Sequence, residues 1–141
     1  VDARIHMALN CGARGCPAVA VYRPETLDEE LDEAVAAFVA DDGNVQVIDV
    51  SEDGVEVGLT ELFKMYLADF AGEGARHHRQ VDRLALLRWL LPYLRGAKAE
   101  LLALALAPGL SPRVQVEWLP YDWRTNGPDL PLEPRVYRLA L

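Results

Sequence analysis

Residues 26–57, TLDEELDEAVAAFVADDGNVQVIDVSEDGVEV, change hydrophobic period part-way along, and that change sets the fold class. Leu27, Leu31, Val35, Phe38 and Val39 recur at helical spacing, whereas Val45 to Val50 and Val55 to Val57 alternate with period two. Thr26-Leu27-Asp28-Glu29 reads as a capping box. The Thr26 hydroxyl is expected to accept from the Glu29 amide, and the Glu29 carboxylate to reach back to the amide of Thr26. Asp28, Glu29, Asp32 and Glu33 fall largely on the polar side near the positive end of the helix dipole, so they read as a solvated first turn rather than a cation site. Asp41-Asp42-Gly43 stops the helix, and Ser51-Glu52-Asp53-Gly54 supplies the turn of a hairpin.

Working outward, Leu62, Phe63, Tyr66, Leu67 and Phe70 predict one amphipathic helix from Thr60 that ends before Gly72 and Gly74. A stronger helix runs from Gln80 to Leu94 with Val81, Leu84, Leu87, Leu91 and Leu94 on its apolar face, Pro92 kinking or ending it. Ala97 to Ala107 continues as a shorter helix after Gly96, and Arg113 to Trp118 alternates as a strand. Upstream, Ile5 to Asn10 is expected to form a short buried strand. A Gly-bearing loop from Cys11 to Pro17 follows, and Ala18 to Tyr22 is a second strand candidate. The sum is a single α+β domain with helices packed on a small mixed or antiparallel sheet. There is no internal repeat and no low-complexity tract.

With 141 residues, 51% of them hydrophobic, the chain can bury one real core and is too short for two comfortable domains. Its net charge of −8 repels a phosphate backbone, which argues against nucleic acid and anionic membrane as partners. The Leu-rich stretch around Leu84 to Leu94 is interrupted by Arg88 and Pro92, so no run reaches the ~20 apolar residues of a membrane span. The chain begins at Val1, and the lack of a signal peptide is therefore uninformative.

Both cysteines, and the only histidine outside the Gly72–Arg79 loop, lie in Arg4-Ile5-His6-Met7-Ala8-Leu9-Asn10-Cys11-Gly12-Ala13-Arg14-Gly15-Cys16-Pro17. This run, together with Thr60-Glu61-Leu62-Phe63-Lys64-Met65-Tyr66, Asp69-Phe70 and Leu119-Pro120-Tyr121-Asp122-Trp123-Arg124-Thr125-Asn126, resembles the domain of unknown function 547 family (DUF547) in order and spacing. The resemblance covers most of residues 2 to 126, which sets the domain at 1–126 and leaves 127–141 as a Pro-rich extension ending in a short strand at Val136 to Leu139. This sequence has Gly15 where the family usually has Ser, Met65 where Trp is common, and Arg124-Thr125 before Asn126, so no role for a hydroxyl at position 15 carries over. Family members carry a further segment upstream of the first motif, which implies that part of any pocket lies outside this chain. The resemblance implies a fold family and no established reaction.

Three chemistries compete for the cysteine pair. A Cys11–Cys16 disulfide would close a short loop, stabilising by about 2 kcal/mol, with Gly12 and Gly15 letting the chain turn tightly. Such a staple goes with a location outside the cytosol, in the bacterial envelope or secreted, where members of the resembled family are often found. His6, Cys11 and Cys16 form His-x4-Cys-x4-Cys, three groups that could converge on zinc, although the spacing matches no common zinc module. Water, or His77 or His78, would complete the tetrahedron, although adjacent histidines in a Gly-rich loop are more often simply solvated. No other cofactor is expected. In the third chemistry, a Cys16 or Cys11 thiolate is served by His6 as base and Asp122 as its orienting acid. Papain-like and transglutaminase-like enzymes use such triads on α+β folds, and the chain order here fits only a rearranged version. Two inert thiols and a core histidine are the plain alternative.

Tyr121-Asp122-Trp123 either lines a pocket or anchors a loop by burying its rings. Arg4, Asn10, Tyr121 and Trp123 are the candidate ligand-binding residues. No phosphate-binding glycine loop, Gly-x-Ser-x-Gly elbow or paired catalytic carboxylates occur. The expectation is a binding or accessory module built on the Cys11–Cys16 loop, with a protein or small-molecule partner. The alternative is a cysteine-dependent hydrolase or acyltransferase.

Overall fold

The computed structural model describes residues 1–51, 54–72, 80–107 and 113–125. The turn residues Glu52 and Asp53, the pair His77 and His78, Asn126 and the strand expected at Val136 to Leu139 lie outside the described residues.

The change of period at residue 41 marks the change of structure. Helix α1 spans Leu27–Ala40, and β1 (Val45–Ser51) pairs antiparallel with β2 (Gly54–Thr60), placing Val45 opposite Leu59 and Val47 opposite Val57. The register shifts between Val47 and Asp49, a bulge that leaves Ile48 on the exposed side. Strand β3 (Arg113–Leu119) lies parallel to β2, with Val55 opposite Val114 and Val57 opposite Val116. Parallel neighbours need a long crossover. Helices α2 (Glu61–Met65), α3 (Leu67–Ala71), α4 (Gln80–Leu90) and α5 (Gly96–Leu106) lie along it. The sheet is therefore mixed, in the order β1-β2-β3.

One face of this sheet carries the core. Val55, Val57 and Leu59 from β2, with Val114 and Val116 from β3, are buried in one cluster with Val35, Phe38 and Val39 of α1, Phe63 of α2, Leu86, Leu87 and Leu90 of α4 and Leu102 of α5. On β3 the positions of opposite parity, Gln115 and Glu117, are exposed, whereas on the central β2 Gly58 and Thr60 are buried on that side too. Pro92 ends α4 by tightening it into a 3-10 turn, Leu91–Tyr93, because it cannot donate to the preceding turn. Val81, expected on the apolar face of α4, is exposed, and the helix buries Leu86, Leu87 and Leu90 instead.

Four local expectations are corrected. Ile5 to Asn10 is not a strand: Ala3–Met7 is a 3-10 helix, because the Asp2 carboxylate accepts from the Arg4 amide at 3.0 Å and caps it. Turning at that spacing buries Ala3, His6 and Met7 together. Ala18 to Tyr22 also forms no strand. Its period-two pattern meets no partner strand among the described residues; Ala18, Ala20 and Tyr22 instead help line a small cavity of about 30 Å³ against Ala34, Ala37 and Phe38 of α1, and Val19 and Val21 are 80% and 84% exposed. The helix expected from Thr60 to Phe70 breaks at Tyr66, whose φ of −113° and ψ of 24° end α2 and start α3. The capping box at Thr26 does not close. The Thr26 hydroxyl donates to Glu30 Oε1 at 2.9 Å, and Glu30 Oε2 accepts from the Arg23 amide at 2.7 Å, so the reciprocal contacts run one residue further on.

Candidate functional site

The loop after the first 3-10 turn is folded by its own polar side chains. Asn10 Oδ1 accepts from the Gly12 amide at 2.7 Å, and Asn10 Nδ2 donates to the Pro17 carbonyl at 2.6 Å, closing residues 10–17 from inside. Gly12, at φ 82°, sits in the left-handed region that this turn requires. The result brings the cysteines together. Their sulfurs stand 2.9 Å apart as free thiols, not joined as the staple expectation had them.

A second segment, distant in sequence, completes the site. After β3 the chain runs back along the loop, pairing Thr125 with Ala13 in an isolated antiparallel bridge. The Arg14 amide donates to the Arg124 carbonyl at 2.9 Å and the Gly15 amide to the Asp122 carbonyl at 3.0 Å. These bonds seat the Tyr121 ring against Gly15. A Cβ there would lie 2.9 Å from Tyr121 Cε2, so only glycine lets the ring approach. The Tyr121 hydroxyl donates to Cys16 Sγ at 3.1 Å and stands 4.0 Å from Cys11 Sγ.

Cys16 Sγ therefore collects donors. Burial opposes its ionisation, but the Cys11 thiol, the Tyr121 hydroxyl and the Cys11 amide, 3.1 Å away, together hold the Cys16 thiol below its ordinary pKa. The same contact acts in reverse on the phenol. Burial and the adjacent sulfur push Tyr121 well above the usual tyrosine range. Cys11 is exposed and Cys16 half-buried, so the pair is open to solvent on the Cys11 side.

The remaining candidates go elsewhere. His6 is only 8% exposed, stacks on Tyr66 with ring centroids 4.0 Å apart, and shares a hydrogen bond of 2.8 Å between Nε2 and Asp69 Oδ2. Asp122 binds Arg124 through both carboxylate oxygens, and that guanidinium holds its pKa at about 2. The acid that orients His6 is thus Asp69, and neither His6 nor Asp122 has a hydrogen bond to a cysteine; Cys16, His6 and Asp122 do not form a relay. Among the described residues no group of three or more His, Cys, Asp or Glu side chains is disposed to hold a metal ion.

Arg4, a ligand-binding candidate, is spent within the fold. Its guanidinium holds Asp2 at 2.7 Å, Asp28 at 2.6 Å and Asp32 at 2.9 Å. The first-turn acids of α1, expected to face only water, are thereby a docking point for the N-terminal 3-10 turn. Asn10, though exposed, and Tyr121 are likewise engaged by internal hydrogen bonds, which leaves Trp123 as the ligand-binding candidate without such a tie among the described residues. It is 63% exposed, with its ring 4.7 Å from that of Tyr121 in an edge-to-face contact.

Residues 1–39 match the model of a family described as Protein of unknown function, DUF547. The matched DUF547 stretch holds the 3-10 turn, both cysteines and nearly all of α1. The rest of the resemblance read from the sequence, through Tyr66, Asp69 and Tyr121 to Trp123, lies beyond it. No curated protein and no solved structure gives a significant match to the chain. No helix among the described residues is long and apolar enough to cross a membrane.

The sequence reading missed Asp69 and Tyr66 as the partners of His6. Asp69-Phe70 stood in the quoted motif, but a contact across 63 residues leaves no local signal.

Proposed function

We propose that this DUF547-like domain is a binding or accessory module in which the Cys11–Cys16 loop fastens the Tyr121–Thr125 segment and so presents Trp123 to a protein or small-molecule partner. The observation that carries the reading is the contrast between Trp123, 63% exposed, and the segment that bears it, which is held by the Arg14 and Gly15 amides and by the buried Tyr121 ring. A large aromatic on a fixed backbone loses little conformational entropy when a partner covers it, which is why such side chains anchor interfaces. The hydrolase or acyltransferase alternative has less support, because a thiol acyl transferase needs a base within hydrogen-bond reach of the nucleophile, and His6, held by Asp69, has no hydrogen bond to either cysteine.

Two measurements on one set of variants test this. In urea unfolding, Tyr121→Ala is expected to cost about 3 kcal/mol, as for a truncated core aromatic, and Trp123→Ala less than about 0.5 kcal/mol. Incubated with activated esters, thioesters and peptides, the wild type is expected to take up at most one acyl group per chain without turning over. Multiple turnover that Cys16→Ala abolishes without loss of stability would overturn the module reading in favour of the enzyme.

A further inference from the structure

We propose that Cys11 and Cys16 form a redox-active dithiol that reduces hydroperoxides, with Cys16 attacking and Cys11 resolving. The inference goes beyond the module reading and does not depend on Trp123 or its partner. It stands on four features of one place. The sulfurs are 2.9 Å apart, and the Cys11 amide and Tyr121 hydroxyl each donate to Cys16 Sγ at 3.1 Å. Cys11 is exposed, which gives a small oxidant an entry.

The division of labour follows from the donors. A thiolate is the nucleophile, and two donors converge on Cys16 Sγ while among the described residues Cys11 Sγ has only the distant phenol and its partner sulfur. The Cys16 thiolate attacks the terminal oxygen of the hydroperoxide. A sulfur–oxygen bond forms, the oxygen–oxygen bond breaks, and the departing alkoxide takes a proton from solvent, leaving the Cys16 sulfenic acid. Cys11 sulfur then attacks that sulfur. The sulfur–sulfur bond forms, the sulfur–oxygen bond breaks, and hydroxide leaves with the Cys11 proton as water. Two thiols have lost two electrons to one hydroperoxide, yielding a disulfide, an alcohol and water. An external dithiol restores the pair by exchange. The move from contact to bond is about 1 Å, since bonded sulfurs lie about 2.05 Å apart, so the second step needs no refolding of the loop.

Tyr121 is a positioning residue here: its hydroxyl favours the thiolate over the thiol, and its ring, seated on Gly15, holds the sulfur in place. A merely structural tyrosine would affect stability alone.

The experiment exposes the reduced protein to hydrogen peroxide, with and without dimedone, and reads intact mass against time. Wild type is expected to lose two hydrogens with one equivalent of peroxide, at least tenfold faster than free cysteine at the same pH, and to regain them with dithiothreitol. Cys11→Ser should accumulate one dimedone adduct on Cys16, whereas Cys16→Ser should react at the free-cysteine rate. Tyr121→Phe, which keeps the ring, should slow the Cys16 adduct severalfold in the Cys11→Ser background and shift its pH midpoint upward. Oxidation of the wild type no faster than free cysteine, or equal trapping in the two single variants, overturns the proposal. An unfolded variant is recognised by circular dichroism, and the wild-type rate then decides alone.

Discussion

A single missing methyl decides how the site closes. Gly15 has the Tyr121 ring at 2.9 to 3.0 Å and the Asp122 amide nitrogen at 3.1 Å from where a Cβ would sit, so a side chain must displace ring or backbone. Gly15→Ser is expected to cost about 1–3 kcal/mol, the range for overpacking a filled site, and to pull the Tyr121 hydroxyl off Cys16. Urea unfolding measures the first effect, and a rise in the pH midpoint of Cys16 alkylation the second. A cost below 0.5 kcal/mol with an unchanged midpoint would mean that the ring adapts freely. The identity of these residues was readable in the sequence, their partners less so. Asn10 closing its own loop is local and legible, whereas His6 with Asp69 and Cys16 with Tyr121 join residues 63 and 105 apart. Asp122 illustrates the limit: an acid beside two aromatics reads as an orienting group, yet Arg124 two residues on takes its carboxylate.

At the scale of elements, the period of the apolar pattern was a sound guide where it was long and a poor one where it was short. α1, β1 and β3 each carry their period over six or more residues, and each stands where that period put it. Ala18 to Tyr22 alternates just as cleanly over five residues, but alternation describes which side is covered and not by what; here the cover is α1. Ile5 to Asn10 misled because the Asp2-capped 3-10 helix Ala3–Met7 is only five residues long and leaves little periodic pattern. The start of α1 yields a prediction of its own. Glu30, 5% exposed, accepts from the Arg23 amide, Arg23 Nε and Thr26 Oγ1 at 2.7 to 2.9 Å, whereas the Thr26 side chain makes no bond to the helix backbone. Glu30→Ala is therefore expected to cost about 2 kcal/mol by removing the carboxylate that accepts all three hydrogen bonds, and Thr26→Ala under about 1 kcal/mol. Thermal or urea unfolding checks the order; a costlier Thr26→Ala would restore the capping box.

Taken as a whole, the molecule is fastened between its beginning and the segment after β3. Among the described residues a sheet ordered β1-β2-β3 leaves β3 at one edge, and the chain that leaves it returns to residues 13–15 through three backbone contacts and the Tyr121 ring. That closure makes the protonation of one sulfur a property of global stability, because unfolding removes the Tyr121 hydroxyl and the Cys11 amide from Cys16 together. The sign follows from the direction of the shift. Cys16 is held below its ordinary value in the folded chain, so between that lowered value and the ~8.5 of a free thiol the unfolded chain binds more protons than the folded one. Stability contributed by the thiolate is then fully present above the free-thiol pKa and is lost as pH falls through the folded value. Under reducing conditions, unfolding free energy is expected to rise with pH across that window in the wild type, to rise less in Tyr121→Phe, and to lose this component in Cys16→Ser. Equilibrium unfolding at closely spaced pH values with reductant present measures it. A Cys16→Ser curve parallel to that of the wild type across the window would show that the sulfur and the segment after β3 are energetically independent.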